Sequence, residues 1–221
     1  MKNTLFLGGL CALAVAGLWG QTAAAMIQYS GQLSTADGGL SGTGIWFSDG
    51  ATLAWTVSRD DDQPWCYQYT LNVQRGEVSH LIVEASDSFT SQNIFGAQGP
   101  FGSIEIKTFK PGGSQPNMPD NIYGIKFDDA RDTDFTVRFY SWRSPVWGDL
   151  YAKDGKVGGV FNALWNSGLT CPDTDPDAAP SSGSLAYHVL VPDTVEVPEP
   201  ASLLLMALAA SAYLGRRGRR S

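Results

Sequence analysis

Asp134-Phe135-Thr136-Val137-Arg138-Phe139-Tyr140-Ser141-Trp142 reads as a half-buried β-strand. Successive side chains of a strand point to opposite faces. Phe135, Val137 and Phe139 therefore share one face, while Thr136 and Arg138 lie on the other. Aromatic and β-branched residues also suit a pleated, half-buried surface.

The same pattern recurs outward from this stretch. Residues 52–57 alternate after Asp49-Gly50, and residues 65–73 carry Trp65, Tyr67 and Tyr69 up to a turn at Arg75-Gly76. Residues 78–84 resume at once, so 65–73 and 78–84 are expected to form a hairpin. Residues 104–109 alternate again, and a loop rich in Gly and Pro follows over 110–120. Residues 122–127 are expected to pair with 134–142 around the turn at Asp128, Asp129 and Asp132. Residues 146–151 and 185–191 complete the strand set, and a short helix is expected only at 159–165. About ten short strands at hairpin spacing predict an all-β chain, a single antiparallel β-sandwich. Immunoglobulin-like and jelly-roll topologies both fit.

The two ends read differently. Met1 to Thr4 is a short basic start, Leu5 to Leu18 is apolar, and Ala23-Ala24-Ala25 offers small residues for cleavage between Ala25 and Met26. This is the layout of a secretory signal peptide over residues 1–25, implying signal peptidase as a partner. The sandwich is expected over 26–191 and an extended linker over 192–197. At the far end, residues 201–215 form an uncharged apolar run, expected as a transmembrane helix. At about 1.5 Å per residue it reaches roughly 22 Å, short against a bilayer core of about 30 Å. Arg216, Arg217, Arg219 and Arg220 follow as a basic stop expected to stay in the cytoplasm.

Pro198-Glu199-Pro200, the apolar run and the closing arginines together resemble the PEP-CTERM sorting signal, over residues 198–221. The resemblance implies recognition of Pro198, Glu199 and Pro200 by an exosortase, a membrane-embedded cysteine transpeptidase-like enzyme, and removal of the tail. It also implies an exported protein with an inner-membrane intermediate, bound for the surface or matrix of a Gram-negative bacterium that makes exopolysaccharide and biofilm. Two prolines keep the recognition segment extended and out of any helix. A GPI signal would lack the basic end, and the chain has no Leu-Pro-x-Thr-Gly motif.

Between the two signals remain ten basic and 21 acidic residues, a net charge of −11. Such a charge argues against nucleic acid and against a bare anionic membrane as partners. Cys11 leaves with the signal peptide. Cys66 and Cys171 remain and are expected to pair in an exported chain. The closed loop of about 100 residues would contribute roughly 3–5 kcal/mol.

Motifs for chemistry are sparse. His80 and Glu84 share a strand face by period two, which allows an acid–base dyad, although a histidine held within the sheet explains the position as well. No Gly-x-Ser-x-Gly elbow, HExxH, phosphate loop or dinucleotide fingerprint occurs. Asp173-Thr174-Asp175-Pro176-Asp177 opens like a calcium loop, but Ala178 and Ser184 stand where an EF-hand needs Gly and Glu. Ca²⁺ remains open there, at Asp60-Asp61-Asp62, and around Asp128, Asp129, Asp132 and Asp134. No other cofactor or metal ligand set is expected. Aromatic rings can bind sugars, and Trp147, between Pro145 and a turn, is the expected exposed platform. The reading is a non-enzymatic structural or adhesive protein associated with exopolysaccharide, the alternative being a secreted hydrolase resembling glycoside hydrolases.

Overall fold

A computed structural model describes residues 26–192. The strands in chain order are β1 (Met26–Ser34), β2 (Leu40–Thr43), β3 (Ala51–Asp60), β4 (Trp65–Val73), β5 (His80–Glu84), β6 (Phe95–Gln98) and β7 (Ser103–Phe109). They continue with β8 (Ile122–Asp128), β9 (Asp134–Ser141), β10 (Pro145–Gly148), β11 (Leu150–Val157), β12 (Val160–Asn166) and β13 (Val189–Pro192). A single helical turn, α1, spans Ile45–Ser48. The strands form a five-stranded sheet (β1-β3-β4-β9-β6), a six-stranded sheet (β2-β12-β11-β5-β8-β7) and a β10-β13 ribbon. All the pairings are antiparallel.

The two large sheets close on one core. Phe135, Val137 and Phe139 are fully buried, as the alternation of β9 requires. Phe139 stacks on Tyr67 at 5.3 Å and on Tyr69 at 6.3 Å within its own sheet, and meets Phe127 of the facing sheet at 5.8 Å. Centroid separations of 4.5–7 Å are the favourable range for aromatic pairs, worth about 0.5–1.5 kcal/mol each beyond area burial.

The expected hairpins 65–73/78–84 and 122–127/134–142 do not form. β4 pairs with β3 and β9, while β5 pairs with β11 and β8. β8 likewise lies beside β5 and β7, and β9 beside β4 and β6. In both cases the chain crosses from one sheet to the other. A period of two says that one face is buried, and strands on opposite sides of one core satisfy it equally.

The expected helix at 159–165 is β12. Gly158 and Gly159 both take positive φ, 60° and 85°, and join Val157 to its partner Val160. Two consecutive residues of positive φ make the tight turn whose twist matches a hairpin. The segment expected as one strand over 146–151 breaks at Asp149, between β10 and β11.

A smaller layer covers the outer face of the six-stranded sheet. Ile82, Phe109, Met118, Ile122, Tyr151, Ala163 and Leu169 form it, with Trp165 packed alongside. The Tyr151 hydroxyl donates to Pro116 O at 2.7 Å and pins the 110–121 loop over that face. β5 is thereby buried on both sides, which is why its burial does not alternate.

The expected disulfide is absent: Cys66 and Cys171 are both free. Cys66 alternates with buried Trp65 and Tyr67, so it points out of the five-stranded sheet, beside Arg138 and Tyr140. Cys171 is exposed past β12 and lies by Asp120, just ahead of β8 in the other sheet. The two sulfurs thus have separate surroundings, Arg138 and Tyr140 for one and Asp120 for the other.

Phe139→Ala removes the ring that touches both sheets. It is expected to cost about 3–5 kcal/mol, the usual range for a buried Phe. Denaturant unfolding of the variant against the parent protein measures it, and a loss under about 1 kcal/mol would mean the inter-sheet stack is not a main contact.

Candidate functional site

The β10-β13 ribbon builds the most polar part of the interior. Gly148 pairs with Val189, so the next residues outward, Asp149 and His188, meet at the ribbon's end. Asp149 is 0% exposed and His188 is 3% exposed. A Cβ on Gly148 would come within 2.8 Å of Glu84 Oε2, and one on Gly168 within 2.6 Å of His188 Cε1. Both glycines thus make room for the polar groups beside them.

Asp149 is held from three sides. Its N–H donates to Glu84 Oε2 at 2.8 Å, and its carbonyl accepts from Glu84 N–H at 2.9 Å. Asn166, buried at the end of β12, accepts the Leu150 N–H through Oδ1 at 2.8 Å. The Asn166 Nδ2 donates both to Asp149 Oδ1 and to Tyr187 O. One amide therefore fixes the carboxylate and the chain segment that carries His188.

His188 Nδ1 lies 3.2 Å from Leu185 O, the arrangement of an Nδ1–H donating to a carbonyl. That bond leaves the Nε2 lone pair facing Asp149 Oδ1 at 3.6 Å and Asp175 Oδ1 at 3.9 Å. The loop after β12 supplies Asp173 and Asp175, and the Asp173 N–H donates to Asp120 Oδ2 at 3.2 Å. One ligand atom from each of Asp149, Asp173, Asp175 and His188 falls within 4.8 Å of the others.

Crowded carboxylates in a buried place favour their neutral forms. Burial, and then Glu84, raises the Asp149 carboxyl above the carboxylate range, and burial, then Asp175, raises Glu84. Burial, then Asp173, pushes Asp175 up to about 6. Asp149 Oδ2 and His188 Nε2 are buried without a hydrogen-bond partner among the described residues. Three carboxylates and a free imidazole nitrogen can share protons or coordinate a cation.

The sequence-predicted residues divide sharply. Asp173 and Asp175 enter this cluster, whereas Asp177 does not. Their partners Asp149 and His188 carry no spacing signal, since only the Gly148–Val189 pairing brings them together. His80 and Glu84 sit at opposite ends of β5. His80 faces Asp128 at 3.8 Å and the Tyr151 ring at 6.1 Å, while Glu84 serves Asp149. They form no dyad. Trp147 is not an exposed platform: it is 2% exposed and meets Trp55 edge-on at 6.2 Å. Trp142, just past β9, is the exposed tryptophan among the described residues, at 53%. Met26 opens β1, while Ala25, Pro198, Glu199, Pro200, Arg216, Arg217, Arg219, Arg220 and the apolar run 201–215 lie outside the described residues. No helix among the described residues is long and apolar enough to cross a membrane.

Comparison with known families finds the PEP-CTERM protein-sorting motif at residues 196–220. The chain therefore carries the tail of an exported protein sorted to the cell surface by an exosortase-type enzyme. No curated protein and no solved structure matches the chain.

His80 gives the fold an acid-side liability. Burial, then Lys126 and Lys153, holds its pKa down to about 3 despite Asp128. The unfolded chain protonates this histidine near pH 6.5 and the folded chain refuses the proton. Stability is thus intact above about pH 6.5 and is lost as pH falls from there toward 3. At pH 5 the loss is on the order of 2 kcal/mol. His80→Gln is expected to flatten this part of the stability–pH curve. Denaturant melts of both proteins between pH 7 and 5 read it, and parallel curves would contradict the assignment.

Proposed function

We propose that this is a non-enzymatic structural or adhesive protein of an exopolysaccharide matrix, delivered by its PEP-CTERM tail. The sorting motif at 196–220 carries the reading, because it places the chain among exported proteins handled by an exosortase. The sandwich adds an exposed aromatic strip at the β9-β6 edge. Phe95, 39% exposed, stacks on Tyr140 at 6.3 Å, and the Arg138 guanidinium lies 6.0 Å from the Tyr140 ring centre. Trp142 stands close by in sequence and is more exposed. Aromatic faces of this kind suit sugar rings, and the strip takes the place of Trp147 as the contact surface. Asp149 is too deeply buried for a sugar ring to reach its carboxyl, which favours binding over hydrolysis.

Cosedimentation of the exported protein with the host's own polysaccharide is expected to show binding. Trp142→Ala and Tyr140→Ala should each weaken it by about tenfold, the equivalent of about 1.4 kcal/mol. Chain shortening of the polymer that disappears in an Asp or Glu variant would overturn the non-enzymatic reading in favour of a hydrolase.

Delivery is tested separately. Replacing Pro198-Glu199-Pro200 with alanines is expected to leave the tail uncut and the protein in the membrane fraction of an exosortase-bearing host. Unchanged processing of that variant would contradict recognition through these residues.

A further inference from the structure

We propose that Asp149, Asp173, Asp175 and His188 bind one divalent cation of the zinc or manganese type, which fastens the loop between β12 and β13 to the sandwich. The acidic cluster alone would not carry this. The second observation is the buried His188 Nε2, which has no hydrogen-bond partner and faces Asp149 Oδ1 and Asp175 Oδ1 at 3.6 and 3.9 Å. These separations are too long for hydrogen bonds. Bonds of about 2.0–2.2 Å in a tetrahedral set place ligand atoms roughly 3.3–3.6 Å apart; the Asp149 oxygen already stands at 3.6 Å, and the exposed Asp175 at 3.9 Å needs only a small approach.

The surroundings match those of a metal site. Metal-bound histidines usually donate their other N–H to a carbonyl or carboxylate, which sets the tautomer. Here Nδ1 lies beside Leu185 O. Ligating carboxylates are in turn hydrogen-bonded, and Asn166 does this for Asp149. Asp149 Oδ2, buried and unpartnered, offers a second oxygen. The imidazole nitrogen favours zinc, the three carboxylates also suit manganese, and Ca²⁺ prefers six to eight oxygens.

The site lies beside the last described strand. Asp149 ends the β10 side of the ribbon, and His188 immediately precedes β13. β13 ends at Pro192, four residues before the sorting motif begins. A cation there joins the β10-β11 junction, the 173–175 segment and the start of the last strand. The proposal stands independently of the matrix role.

The test uses the untagged full-length chain in detergent, stripped with chelator, in a Cys171→Ser background that removes the exposed thiol as a competing ligand. Titration calorimetry with Zn²⁺, Mn²⁺ and Ca²⁺ is expected to show one tight equivalent of Zn²⁺ or Mn²⁺ and much weaker Ca²⁺. Saturation should raise the melting temperature and slow hydrogen exchange over residues 169–188. His188→Gln should weaken binding by more than about tenfold, since even outer-shell partners of metal ligands are worth about 10–100-fold. If that variant does not fold, the rim variant Asp175→Asn answers the same question, because Asp175 is exposed. Absence of binding overturns the proposal. So does binding that both variants leave unchanged, or a preference for Ca²⁺.

Discussion

The contact on which the sandwich depends is the ring of Phe139 against Phe127 across the core. Each sheet alone would expose an aromatic face. Tyr67, Tyr69 and Phe139 bring their rings to the interior from one side, and Phe127 from the other. Phe101 then packs on Phe127 at 5.2 Å and extends the contact toward the β6–β7 end. The tyrosines keep polar handles at the core's margin. Tyr69 donates to Leu190 O and Tyr67 to Arg143 O, each at 2.7 Å. Burial of the rings and satisfaction of the hydroxyls therefore fall in one arrangement, and the Tyr69 bond ties β13 to the five-stranded sheet.

That tie explains why so much polar chemistry can sit beside β13. Buried polar groups are tolerable only when their partners are fixed. Asn166 fixes two segments with one side chain, and Glu84 completes the ring through its backbone and carboxyl bonds to Asp149. Within this frame Asp149 Oδ2 and His188 Nε2 are left without a hydrogen-bond partner among the described residues, as is Trp147 Nε1 on the neighbouring strand.

The strand pattern was legible at β7 and β8, and most clearly where burial alternates, at β3, β4 and β9. It was also legible as a strand at β5, but it failed at β12, which buries most of its inner residues on both sides and was expected as a helix. Gly158-Gly159 was the overlooked hairpin signal, because both residues supply the positive φ of the turn into β12. Sheet membership was not legible at all, since facing strands share one pattern. The site was half legible. Asp173 and Asp175 stand in a visible acidic repeat, but the loop template looked for further ligands downstream. The residues that join them are Asp149, upstream, and His188, just before β13 and beyond the template's last position, brought together through the register Gly148↔Val189.

The cysteines show the same limit from the other side. Two thiols in an exported chain invite pairing by count, yet count carries no direction. Cys66 points outward from β4 beside Arg138, and Cys171 lies beside Asp120. Chain constraint across the domain therefore comes from the register of β13 on β10 and the Tyr69–Leu190 bond. β13, the last described strand, is braced by the core on one side and the Asp149–Asn166–His188 cluster on the other.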